Sequence, residues 1–214
     1  MQTFKIATFN IQLGVKVTRG YWQYLISSWK YFFGHTMDFQ KINRFVEREK
    51  IDIIAFTEVG ERLKTGADVL NDDLISALSG FNENVQANYR LWKIFKFGNA
   101  ISARFKIIRF KEHYLSDKKK GRLLCEAVVQ IGDKSLTVIT THLSLIGKNG
   151  RKKQIDCIVD IIKKIKTPFV LAGDFNTQNG KDLQPIIDSG TKKISFKTRT
   201  SSPARCKRPT SILK

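Results

Sequence analysis

The sequence predicts an α/β fold in which helices cover a mixed β-sheet. Three observations point there. Strand-like and helix-like segments alternate along most of the 214 residues. Two apolar runs, DIIAFTE at residues 52–58 and FVLAG at 169–173, lack period-two alternation, as strands buried on both faces do. Hairpin-like neighbours between residues 89 and 142 argue for a mixed sheet rather than a purely parallel one.

The elements follow in order. Phe4 to Asn10 reads as a strand. Asp38 to Lys50 reads as a helix, because Asp38 suits an N-cap and Ile42, Phe45 and Val46 share one face. Asp52 to Glu58 is the first buried strand, and Ala67 to Leu78 a second helix. Strands are expected at Tyr89 to Phe95, Ala100 to Arg104, Leu123 to Ile131 and Ser135 to His142. Arg151 to Lys166 is a strong amphipathic helix carrying Ile155, Ile158, Val159 and Ile162 on one face. Phe169 to Gly173 follows Pro168 as the second buried strand, and Leu183 to Ile187 reads as a short helix. The aromatic segment Tyr21 to Phe33 contains Trp22 and Trp29. Its helical spacing suits packing over the core, and its composition equally suits a lid facing a membrane surface or a substrate.

At 42% hydrophobic, the chain is globular and long enough for one domain with a sizeable core. Its net charge of +19 favours anionic partners such as nucleic acid, phosphorylated metabolites or anionic membranes. A solvated basic surface explains that charge equally well, so charge alone selects no function. After Asp188 there are eight Lys or Arg and no acidic residue. Cys125, Cys157 and Cys206 are widely spaced, without metal-binding spacing. Cys125 and Cys157 lie in apolar patterns that suit buried thiols in a reducing compartment. The N-terminus lacks a signal-peptide pattern, and no apolar run reaches the roughly 20 residues a membrane span needs. A cytoplasmic, monomeric protein is the expectation.

Polar residues stand at the ends of three strands: Asn10 in TFN, Glu58 in AFTE, and Asp174 with Asn176 in AGDFN. A carboxylate at the end of a buried strand is costly unless it is paired or binds a cation. One such residue is unremarkable; three at corresponding ends suggest convergence. The donors are all oxygens, which suits a hard cation, and Mg²⁺ binds through one or two carboxylates while keeping waters. His142 ends the strand LTVITTH, where an imidazole could donate a proton to a leaving oxygen or hold a phosphate oxygen. His35 and His113 lack such context and are expected at the surface.

The ordered motifs TFNIQ, FTEVGE, GNAISAR, TTHLSL and LAGDFN, spread over residues 7–177, resemble those of the endonuclease/exonuclease/phosphatase family. That family includes deoxyribonuclease-I-like nucleases, abasic-site endonucleases, sphingomyelinases and inositol-polyphosphate 5-phosphatases. The resemblance implies a four-layer α/β sandwich, two mixed sheets packed face to face with helices outside. It implies hydrolysis of phosphoester bonds with Mg²⁺, or Mn²⁺ in its place. Glu58 would be the main metal ligand, with Asn10 near the metal and the scissile phosphate. Asn99 would contact phosphate or orient its neighbours. His142 would serve as general acid or phosphate binder, Asp174 would orient or deprotonate water, and Asn176 would bond a phosphate oxygen. Arg122 and Gln154 are candidates for substrate binding or for support behind the site, with solvated side chains as the alternative for both.

The chain departs from the family at its C-terminus. Family members carry a (I/L)-D-Y-(I/L) strand and a Ser-Asp-His motif there; here the last histidine is His142 and the last carboxylate side chain is Asp188. The expectation is therefore a domain over residues 1–188 that lacks the last strands, followed by a basic, disordered tail over 189–214. A derailed reading frame or a basic anchor would each produce such a tail. Weak activity follows, because a positioned acid or base is worth roughly 10²–10⁴-fold. Substrate class stays open among nucleic acid or another phosphodiester, a lipid or sugar phosphate, and binding of nucleic acid without turnover.

Overall fold

The computed structural model describes residues 4–11, 39–60, 78–91, 95–115, 122–144, 148–177, 180–195 and 210–213. Two sheets form the interior. The first contains β1 (Ile6–Asn10), β2 (Ile53–Gly60), β3 (Glu83–Leu91) and β4 (Phe95–Ala103), in the order β1-β2-β4-β3. The second contains β5 (Ile107–Tyr114), β6 (Leu123–Ile131), β7 (Lys134–His142), β8 (Phe169–Asp174), β9 (Lys192–Ser195) and β10 (Thr210–Leu213), in the order β5-β6-β7-β8-β10-β9. Helix α1 (Phe39–Glu49) lies between β1 and β2 in sequence. Helices α2 (Lys148–Ile162) and α3 (Gln184–Asp188) flank β8.

Alternation along the strands builds the layers. Ile53 and Ala55 of β2 and Ile101 and Ala103 of β4 pack against Leu123, Cys125 and Ala127 of β6 and Val170 and Ala172 of β8, which joins the two sheets face to face. Ile54 and Phe56, one residue out of step, meet Phe39 and Val46 of α1 on the outer face. Leu124, Ile139 and Leu171 of the second sheet meet Ile155, Ile158 and Ile162 of α2 and Ile186 of α3. The result is the layered sandwich of mixed sheets that the sequence predicts. Both sheets are mixed, because β1 pairs parallel with β2 and β7 parallel with β8, while the other pairings are antiparallel.

Several elements differ from expectation. The strand expected over residues 89–95 is two strands: β3 and β4 pair as an antiparallel hairpin, from Glu83 opposite Ala103 to Leu91 opposite Phe95. Strand β5 has no clean period in sequence because a bulge between Ile107 and Arg109 breaks its alternation. Helix α2 begins at Lys148, before the expected Arg151. Within the tail, residues 192–195 and 210–213 are strands. β10 pairs antiparallel with β8, Ile212 opposite Leu171, so β8 has a partner on each side. Cys125 is buried as expected, whereas Cys157 is only half-buried. His113, expected at the surface, bonds the buried Glu126 at 2.7 Å, an ion-pairing site on the sheet that its sequence neighbours do not reveal. The expected helix over Ala67 to Leu78, the aromatic segment Tyr21 to Phe33 and His35 lie outside the described residues, Leu78 itself excepted. No described helix is long and apolar enough to cross a membrane.

Candidate active site

The two parallel strand pairs aim their C-terminal ends at one place. β2 packs across the interior against β7 and β8, and β1 packs against β8. In register, Asn10 lies opposite Thr57 and His142 opposite Asp174. Two local devices then set the side chains. The ladder between β2 and β4 slips between Thr57 and Val59, leaving Glu58 in the bulge at φ +56. A non-glycine residue held at positive φ is uncommon and marks a side chain that the surroundings fix. Asn176 sits at φ +47, a conformation that asparagine tolerates better than most residues.

The second device is Gly173, at φ +139 beside Thr141. A Cβ there would lie 2.0 Å from the Thr141 carbonyl oxygen. Only glycine lets β8 run this close to β7, and that approach brings Asp174 beside His142.

Five of the sequence-predicted residues meet. Asn10 Nδ2 donates to Asp174 Oδ2 at 3.3 Å, and the same side chain bonds Glu58. The Asn176 backbone N–H donates to Asp174 Oδ1 at 3.0 Å. His142 Nδ1 lies 3.6 Å from Glu58 Oε1, and its Nε2 lies 4.0 Å from Asp174 Oδ2. Asn176 Nδ2 stands 2.8 Å from both the Leu143 carbonyl oxygen and His142 Nε2. A carbonyl only accepts, so this amide nitrogen is the donor, and His142 Nε2 accepts its second hydrogen. The imidazole is thereby held with its proton on Nδ1, pointing toward Glu58 and without a hydrogen-bond partner. Both Asn176 amide hydrogens are committed, so a phosphate oxygen would have to compete with His142 for one of them.

Burial governs the electrostatics. The Glu58 carboxyl is pushed above its ordinary 4.5 by burial, held down by the Asn10 amide, raised by the Asp174 carboxylate and lowered by Arg122. His142, 7% exposed, is lowered to about 4 by burial and by the Arg122 charge, against the opposing pull of Asp174. It is neutral near pH 7.

The remaining predicted residues lie around this cluster. Asn99, 2% exposed on β4, donates from Nδ2 to the Leu123 carbonyl oxygen at 2.7 Å, tying the first sheet to the start of β6 in the second. Thr141 Oγ1 reaches the same carbonyl at 3.3 Å. Arg122, immediately before β6, acts through its charge on both Glu58 and His142. Gln154 is 6% exposed, and its amide exchanges two hydrogen bonds with Ser144, behind the cluster. The sequence reading missed Arg151, which donates to the Ser144 carbonyl oxygen at 3.2 Å. The available signal was its three-residue spacing from Gln154, which puts both on one face of α2.

Among the described residues, no three His, Cys, Asp or Glu side chains form a group that could hold a metal ion. The donors present are the Glu58 and Asp174 carboxylates and the Asn10 amide. A Mg²⁺ ion needs only one or two carboxylates and takes water for the rest. Glu58, whose charge is disfavoured by burial and by Asp174, is the carboxylate that a cation would relieve most. The donor set therefore fits a hard divalent cation.

No protein-family model and no curated protein matches this sequence. Solved structures share the fold. An endonuclease/exonuclease/phosphatase family protein from Leptotrichia buccalis superposes with a TM-score of 0.69 at 16% identity, covering 99% of this chain and 87% of its own. A mannosyl-6-phosphatase of Bacteroides thetaiotaomicron gives 0.62 at 15% identity, with 99% and 85% covered. D. rerio TDP2, complexed with a single-strand DNA product, gives 0.56 at 14% identity, with 82% and 76% covered. The fold of this chain is thus the endonuclease/exonuclease/phosphatase sandwich.

Proposed function

We propose that this chain hydrolyses phosphoester bonds, most naturally phosphodiesters, with a divalent cation bound at Glu58 and Asn10. The observation that carries the reading is the meeting of Asn10, Glu58, His142, Asp174 and Asn176 at the C-terminal ends of two parallel strand pairs. When bound, Mg²⁺ or Mn²⁺ would supply charge stabilisation for the non-bridging phosphate oxygens.

The protein groups do the rest. Asp174 Oδ2, with Oδ1 already held by the Asn176 N–H, is placed to orient an attacking water and take its proton. The Asn10 amide fixes Asp174 and Glu58 relative to each other. Neutral His142 keeps its Nδ1–H buried on the Glu58 side, 3.6 Å from that carboxylate. In this state it helps place the Glu58 carboxylate rather than serving as a charged acid. The Arg122 charge adds attraction for an anionic substrate.

The net charge of +19 favours a polyanion such as nucleic acid. The likeness to a mannosyl-6-phosphatase favours the second reading, a monoesterase for sugar or lipid phosphates. The test is hydrolysis of bis(p-nitrophenyl) phosphate and p-nitrophenyl phosphate with Mg²⁺ and with EDTA. Cation-dependent turnover of the diester supports the proposal; turnover of the monoester alone supports the second reading. No turnover of either, in protein shown to be folded, rejects both.

A further inference from the structure

Ser144 lies two residues beyond His142, and every polar group it has is held by α2. Its backbone N–H donates to Gln154 Oε1 at 3.0 Å. Its Oγ accepts from Gln154 Nε2 at 2.9 Å. Its carbonyl oxygen accepts from Arg151 Nη1 at 3.2 Å. The other arm of the same guanidinium, Nη2, stands 3.5 Å from Asp182 Oδ2, which also accepts from Thr177 Oγ1 at 2.8 Å. Thr177 directly follows Asn176. Arg151 and Gln154 are only 9% and 6% exposed.

Between these two anchors lies the contact that matters. Asn176 reaches back to the Leu143 carbonyl and to His142 Nε2, and the Leu143 N–H reaches across to the Asp174 carbonyl oxygen at 2.9 Å. A helix needs neither Arg151 nor Gln154 for its own stability; an apolar pair would fill the same face with no buried polar groups to satisfy. Instead, two polar side chains one turn apart grip both segments that present catalytic groups.

We propose that Arg151 and Gln154 are positioning residues that brace the segments after β7 and β8, holding His142 and Asn176 at their mutual spacing. The kinetic part of this inference rests on the hydrolase reading; the structural part does not. Misplacing reacting groups by about 1 Å costs on the order of 100-fold, and loss of an orienting partner about 10–100-fold.

The experiment uses the full chain with Mg²⁺ and bis(p-nitrophenyl) phosphate. Gln154→Leu and Arg151→Met should lower kcat about 10–100-fold while KM changes by less than about threefold. Gln154→Glu, whose carboxylate can accept from both the N–H and the Oγ–H of Ser144, should restore most of the loss. Added to Asn176→Ala, Gln154→Leu should cost little more, because the two act as a unit. Unchanged kcat per folded molecule alongside a lower Tm, or losses that multiply in the double variant, would overturn the inference. Should Gln154→Leu not fold, Gln154→Asn is the milder variant, one methylene too short to reach Ser144. Independently of turnover, the His142 imidazole ¹⁵N signals, assignable in a chain of three histidines, should shift when Gln154 is changed. Signals identical to wild type would reject the brace even if the protein proved not to be a hydrolase, and a wild type without turnover would reject only the hydrolase reading.

Discussion

Gly173→Ala tests whether the close approach of β7 and β8 builds the site. The native φ of +139 is one that L-residues rarely adopt, which costs about 1–3 kcal/mol for alanine. The new Cβ would also stand 2.0, 2.9 and 3.0 Å from the O, N and C of Thr141. These are backbone atoms in the centre of a sheet, so relief requires the strands to part, and such overpacking costs about another 1–3 kcal/mol. The sum, about 2–6 kcal/mol, is a large share of the roughly 5–15 kcal/mol by which a domain is stable. With a urea m-value near 2 kcal/mol/M, the midpoint should fall by about 1–3 M. Because Thr141↔Gly173 is the pair next to His142↔Asp174, the folded fraction should also lose activity. Urea denaturation followed by tryptophan fluorescence, with kcat measured on folded protein, reads both effects. A midpoint within about 0.2 M of wild type, at unchanged m, would refute the argument that β8 needs glycine here.

Three further outcomes follow from other parts of the fold. Glu58→Gln keeps the side-chain shape but removes the buried charge, so cation-dependent turnover should fall at least about 100-fold while stability holds or rises, because burial disfavours that charge. Phosphodiester kinetics over a Mg²⁺ titration check this, and undiminished turnover would remove Glu58 from the proposed cation site. The Glu126 carboxyl is held below its ordinary 4.5 by its hydrogen bond to His113, against burial, with further help from the positive charges of His113, Arg109 and Lys111. A depressed carboxyl stabilises the fold above about pH 4.5, and that contribution is lost as pH falls through the lower folded value. Urea midpoints of wild type and Glu126→Gln should therefore converge on acidification from pH 6 to 3, and a constant gap would count against the pair. Ile158→Ala, at a fully buried position of α2, should cost about 2–5 kcal/mol by calorimetry, and a loss under about 1 kcal/mol would mean α2 is not seated as described.

What the sequence showed best were the elements whose burial is uniform. DIIAFTE and FVLAG have apolar runs without alternation because β2 and β8 are central strands covered on both faces, by the other sheet and by helices. Helix α2 was legible because Ile155, Ile158 and Ile162 all meet the sheet. The hairpin of β3 and β4 was obscured because its strands mix inward apolar residues with polar ones such as Asn84 and Gln86, so composition blurred the period. β5 was hidden by its bulge and by the exposed charged residues Arg109, Lys111 and Glu112. The tail strands escaped notice because Ser, Thr, Pro and basic residues dominate residues 196–209 around them.

The site was legible one residue at a time, but its organisation was not. Asn10, His142, Asp174 and Asn176 each stand at or just past a strand end, and Glu58 two residues before one, which a strand pattern locates. What no pattern contains is which atom faces which. Asn176 was expected on a phosphate oxygen, yet the Leu143 carbonyl fixes its amide as a donor, and that in turn fixes the His142 tautomer. The expected general acid is thus a neutral imidazole whose lone pair is already occupied, held in a pocket that disfavours its charged form. The one proton His142 carries is on Nδ1, so Nε2 could donate to a leaving group only after Asn176 releases it and a second proton is taken up, which the burial of the ring opposes.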